Sequence, residues 1–156
     1  MTPRAVWILA ASAALCLSAP VAAAPNFSGK WKLDSAKSNF GPLPAPTVFN
    51  RSVNHDDPNM EVETTQSGRQ GEVTSKLKYT TDGKESVNTL RGAEVKSVCK
   101  WDAETLVITY KRDTPQGEIS VEERWKLSED GKVTTIDSKI SGAFGDIDMK
   151  TVLNKE

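Results

Sequence analysis

From Thr47 to the C-terminus, apolar and polar positions alternate. Met60, Val62 and Thr64 stand against Glu61, Glu63 and Thr65; Val73, Ser75, Leu77 and Tyr79 stand against Thr74, Lys76 and Lys78. Ile119, Val121, Glu123, Trp125 and Leu127 share one parity, as do Ile147, Met149, Thr151 and Leu153. A period of two sends successive side chains to opposite faces of an extended chain, so these runs predict half-buried antiparallel strands. The abundance of Thr and Val agrees. Turn residues separate the runs: Asp57-Pro58-Asn59, Ser67-Gly68, Asp82-Gly83, Arg91-Gly92, Asp102-Ala103-Glu104, Pro115-Gln116-Gly117, Asp130-Gly131 and Gly142 to Gly145. Asp82-Gly83 and Asp130-Gly131 predict short hairpins, because glycine reaches positive φ without steric cost. Residues 35–46, interrupted by Pro42, Pro44 and Pro46, predict an ordered loop with room for one opening helical turn.

Strands joined in order by tight turns form a meander, and closing a meander removes its exposed edges. The expected fold is all-β, an antiparallel up-and-down β-barrel of about eight to ten strands, wide enough for one small ligand. A two-sheet sandwich is the alternative.

The first residues break this pattern. Arg4 is followed by an apolar run from Ala5 to Leu17 and then by Ser18-Ala19-Pro20-Val21-Ala22-Ala23-Ala24. A basic start, an apolar stretch and a small-residue zone predict a cleavable signal peptide, residues 1–23, ahead of one domain, 24–156. Cleavage between Ala23 and Ala24 puts Val21 and Ala23 at the two positions that need small side chains and avoids Pro25 beside the cut. The apolar run is about 13 residues, short of the roughly 20 that cross a bilayer as a helix. The expected location is periplasmic or secreted, with no membrane span after cleavage.

The whole chain carries 20 basic and 21 acidic residues, and Arg4 is the only charge removed with the signal. A near-balanced chain lacks the basic surface that phosphates require, so nucleic acid is excluded as a general partner. Cys16 leaves with the signal, so Cys99 has no intrachain partner; its alternation with Val95, Ser97 and Trp101 predicts a buried thiol.

Candidate chemistry is sparse. His55-Asp56-Asp57 is the only cluster of histidine with carboxylates, and it reads as a solvated hairpin turn. No third or fourth ligand is evident for a metal, and no nucleophile elbow accompanies the histidine, so no metal, cofactor or catalytic residue is assigned. Glu61 and Glu63 share a solvent face, while the neighbours Glu122 and Glu123 point to opposite faces. Glu123 sits on the apolar face with Val121 and Trp125, where a charge must be paired or hydrated.

The opening Phe27-Ser28-Gly29-Lys30-Trp31-Lys32-Leu33 resembles the Gly-x-Trp start of the calycins, the superfamily of lipocalins and fatty-acid-binding proteins. Ser38-Asn39-Phe40, the segment Tyr79 to Ser86, Lys96-Ser97, Trp101-Asp102, Leu106-Val107-Ile108 and the ending Thr151 to Glu156 follow the order of the fatty-acid-binding branch. The chain is also similar to small exported lipocalin-like proteins of bacteria. The resemblance implies a barrel whose end is packed by Trp31. Two features depart from it. The proline-rich segment 35–46 stands where that branch has a two-helix lid, and Thr151 and Leu153 stand where it has an Arg-x-Tyr pair gripping a carboxylate.

The function expected is burial of a small, mostly apolar ligand inside the barrel, with Tyr79, Trp101, Tyr110, Glu123 and Trp125 as lining candidates. The alternatives are a non-enzymatic interaction or inhibitor module with a filled barrel and, as a minor one, an enzyme using carboxylates.

Overall fold

A computed structural model describes residues 24–68 and 71–156, so the expected signal segment, 1–23, and the two residues 69 and 70 lie outside the described part. Ten strands follow in order: β1 (Gly29–Leu33), β2 (Val48–Asp56), β3 (Asn59–Gly68), β4 (Gly71–Thr80), β5 (Asp82–Leu90), β6 (Ala93–Asp102), β7 (Thr105–Thr114), β8 (Gly117–Leu127), β9 (Val133–Gly142) and β10 (Gly145–Lys155). All pairings are antiparallel, and the sheet runs β4-β3-β2-β1-β10-β9-β8-β7-β6-β5. Pairing of β1 with β10 wraps the meander into a nearly closed barrel whose two free edges are β4 and β5.

Those edges meet without a ladder. The Asn88 side chain substitutes for one: its Oδ1 accepts from the Lys78 N–H at 2.7 Å, and its Nδ2 donates to the Lys78 carbonyl at 2.8 Å. Thr80 N–H donates to Ser86 Oγ at 3.2 Å beside it. This side-chain stitch occupies edge groups that would otherwise template pairing with another chain. It also corrects the hairpin expected at Asp82-Gly83. Both residues belong to β5, where the register with β6 shifts between Asp82 and Glu85. An Asp-Gly pair here serves a bulge rather than a two-residue turn.

The loop 34–47 contains no helix. It covers the upper edge of β10, which the five-residue β1 leaves free. Asn39 exchanges two backbone hydrogen bonds with Lys150, both 2.7 Å, and Ser38 Oγ accepts from the Val152 N–H at 2.9 Å. The prolines therefore follow a segment already fixed to the barrel wall.

One parity of every strand faces inward, as the cross-strand register requires. Leu106, Trp125, Ile136 and Thr151 lie opposite one another in turn across β7 to β10, as do Val53, Val62 and Leu77 across β2 to β4. Phe27, Trp31, Cys99, Leu106, Ile108, Trp125, Ile136 and Leu153 form the buried core. They crowd toward the end where β2 turns into β3 and β6 into β7, leaving the opposite end less filled.

Candidate functional site

The closed end is built by the segment before β1. Phe27 is fully buried, its ring parallel to His55 and to Trp101 at 6.2 Å each and edge-on to Trp125 at 5.7 Å. Trp31, 1% exposed, donates its ring N–H to the Phe27 carbonyl at 2.9 Å, which ties β1 to this plug. Gly29 makes the approach possible: its φ is 144°, and a Cβ there would sit 2.6 Å from Lys155 Cε.

His55 is buried, 4% exposed, not solvated as the sequence pattern suggested. Its parity is the reason: with Val53 inward, His55 two residues on is inward too. The Phe27 N–H donates to His55 Nδ1 at 3.3 Å, and Nε2 lies 3.4 Å from Asp57 Oδ1. The same Asp57 oxygen accepts from Thr81 Oγ1 at 2.5 Å and from Trp101 Nε1 at 3.1 Å. These donors, Thr81 and Trp101 first, hold the Asp57 carboxyl below its ordinary range. Both ring nitrogens of His55 are engaged in this plug, so neither is free to act as a base.

The other half of the barrel differs. Phe49, Arg51, Ser75, Leu77, Tyr110 and Arg112 face inward in mid-sheet yet are only partly buried. Arg51 and Tyr110 are paired on both sides, so their residual exposure is toward the barrel interior. Arg51 is the central group. Its guanidinium carbon stacks 4.7 Å from the Trp125 ring centre and 5.1 Å from that of Phe49, and Nε donates to Thr64 Oγ1 at 2.9 Å. Among the described residues, Nη1 is buried and has no partner. Burial lowers the Arg51 pKa, and the Glu123 carboxylate opposes that through space. Glu123 is turned away from full compensation: its Oε2 accepts from Trp125 Nε1 at 2.8 Å. Arg112, further toward the open end on β7, likewise has a buried Nε without a partner.

The phenols Tyr79 and Tyr110 complete the lumen. Burial, then the Glu123 charge, raises both pKa values, so both remain neutral donors. Cys99 lies beneath them, fully buried, its thiol pushed up to about 12 chiefly by burial. Of the sequence candidates, Tyr79, Tyr110, Glu123 and Trp125 gather around Arg51, whereas Trp101 sits in the closed end bonded to Asp57. Arg51 and Arg112 were not among the candidates, although Phe49-Arg51-Val53-His55 carries the same parity signal that placed Glu123 inward.

The outer wall also has two open grooves, of about 660 and 400 Å³. Part of their charge is spent in ion pairs, including Lys96–Glu85 at 3.3 Å, Arg124–Asp102 at 2.6 Å and Lys139–Asp146 at 2.8 Å. The lumen, with unpartnered guanidinium nitrogens, is the stronger site. Among the described residues, no three His, Cys, Asp or Glu side chains are grouped to hold a metal.

No family model matches the chain, and no curated protein matches it in sequence. Solved structures do match. Zebrafish ileal bile acid-binding protein, complexed with cholic acid, superposes with a TM-score of 0.59 at 19% identity, covering 83% of this chain and 98% of that one. A secretory abundant heat soluble protein of Ramazzottius varieornatus gives 0.61 at 13% identity, covering 83% and 94%. Secretory abundant heat soluble protein 4 of the same organism gives 0.54 at 15% identity, covering 85% and 96%. The fold is calycin-like. At these identities the likeness establishes the shape of the barrel, and what this calycin-like barrel holds has to be argued from its own lumen.

Proposed function

We propose that this chain is an exported, non-enzymatic calycin-like barrel that holds a small, mostly apolar molecule bearing an anionic group. The observation that carries the reading is the buried, unpartnered Nη1 of Arg51. A cation with an unsatisfied donor in a partly desolvated site is costly, and an anion accepting that donor removes the cost. Leu77, Phe49 and the Trp125 face supply apolar surface around the same point, and Tyr79 and Tyr110 add neutral donors. The cholic acid bound by the zebrafish structural neighbour, a steroid carboxylic acid, has an anionic group on a largely hydrocarbon frame and belongs to this class of ligand. The export signal supports a location outside the cytosol. The partly exposed inward-facing side chains favour ligand binding over a filled interaction module.

Calorimetric titration of the protein without residues 1–23 tests the reading, using dodecanoate and dodecanol. Saturable binding of dodecanoate is expected, at least tenfold tighter than dodecanol, with the difference lost in Arg51→Met. Absence of saturable dodecanoate binding to folded protein would remove the proposal.

A further inference from the structure

Among the described residues, a second inward-facing arginine carries a buried nitrogen without a partner. Arg112 lies on the inner face of β7, opposite Ile119 of β8, and its Nε is buried without a partner. It is not at the level of Arg51. The Arg51 guanidinium stacks on Trp125, and Trp125 is directly opposite Leu106 on β7. Arg112 is six positions further along that strand, a rise of about 20 Å between Cα atoms. The pair Tyr110 and Val121 lies between the two levels on the same inner face.

Charge points the same way. Arg51, Arg112 and Arg91, the last at the β5–β6 turn, all act on the Tyr110 hydroxyl through space, as does Glu123. On the inward parity of the described strands the charged groups are Arg51 and Arg112 against Glu123, which leaves an excess of positive charge on the inner face. A monoanion at Arg51 neutralises part of it and leaves the Arg112 donor unmet. A ligand with a second acceptor at its far end satisfies both orphaned nitrogens and the charge together.

We infer that the lumen is built for a molecule with two anionic groups separated by an apolar span, one group held deep by Arg51 and the other at the mouth by Arg112. The inference rests on the ligand-binding reading above and specifies the substrate class of the same site: long α,ω-dianions rather than simple fatty acids. The Arg-x-Tyr positions of the fatty-acid binders hold Thr151 and Leu153 here, so neither of this chain's two cationic contacts reproduces that grip.

The test is titration of wild type, Arg51→Met and Arg112→Met with dodecanedioate and dodecanoate, each variant first shown folded by its circular dichroism and melting curve. Wild type is expected to bind the diacid at least tenfold more tightly than the monoacid. Arg112→Met should erase that advantage while leaving dodecanoate affinity within about threefold, and Arg51→Met should weaken both ligands. Equal affinity for diacid and monoacid in wild type overturns the inference while leaving the monoanion reading intact, as does an advantage that survives Arg112→Met. Binding of neither ligand overturns both.

Discussion

The two ends of this barrel treat their polar groups in opposite ways. At the closed end the ring nitrogens of Trp31, His55 and Trp101 all have partners, and so does the carboxylate of Asp57. In the lumen toward the open end, two guanidinium groups each carry a buried nitrogen with none. The other orphans among the described residues, the hydroxyls of Thr80 and Thr134, lie toward the closed end, but they are neutral groups whose burial costs far less than that of a cation. A satisfied network with stacked rings is a structural plug. An unsatisfied charge in a solvent-reaching lumen is a stability cost that a bound molecule can remove. The contrast locates function in the open half of the barrel and support in the closed half.

The contrast can be broken most severely at the plug. Phe27→Ala deletes the ring that packs against His55, Trp101 and Trp125, and a loss of about 3–5 kcal/mol is expected. Urea unfolding measures it; a loss under about 1 kcal/mol would mean that the N-terminal segment does not close the barrel. Next comes the seam between β4 and β5. Asn88→Ala removes two hydrogen bonds to Lys78 and should cost about 1–2 kcal/mol, with faster amide exchange along β4 and β5 only. Exchange that rises equally in all strands would show that the seam is not local.

A smaller effect is expected from acid. The Asp57 carboxyl is held below its ordinary value, so its contribution is complete above the unfolded carboxylate range near pH 4 and drains as pH falls through the folded value. Its side chain is 52% exposed, and solvent screening keeps the effect below about 1 kcal/mol. Melting of wild type and Asp57→Asn between about pH 7 and pH 2 should show wild type ahead at neutral pH and the gap closing in acid. A gap unchanged with pH would sever the plug from that carboxylate.

The least expected change in stability is at Arg51. Replacing a buried, incompletely paired cation by Met of similar length should leave the ligand-free protein within about 0.5 kcal/mol or make it more stable. A loss of more than about 2 kcal/mol would place Arg51 with the plug rather than with the binding half, and the comparison between the ends would have to be redrawn.

Much of the barrel was legible because a half-buried strand writes its faces into the sequence. Alternation through Ile119-Val121-Glu123-Trp125-Leu127 gave β8 and its inward side, and Arg91-Gly92 and Pro115-Gln116 fell at turns. Two local readings failed for the same reason. Asp82-Gly83 has the chemistry of a hairpin, but β4 and β5 diverge at the barrel's seam, so the glycine serves a bulge. His55 looks like part of a polar turn beside Asp56 and Asp57, but parity and the Phe27 ring draw it inside. In both cases a nearest-neighbour pattern competed with a partner more than ten residues away, and the distant partner decided.

By itself the sequence determined the strand periodicity, most of the turn positions and the inward side of strands such as β8, because these depend on residues one or two apart. Only the tertiary structure decided which inward polar groups found partners. Trp125 satisfies Glu123, Phe27 and Asp57 engage His55, and Asn88 stitches the seam to Lys78, while Arg51 and Arg112 each keep a donor without a partner. Hydrogen bonding is settled by three-dimensional proximity within about 3 Å, and closure of the barrel brings together side chains that the chain order keeps apart.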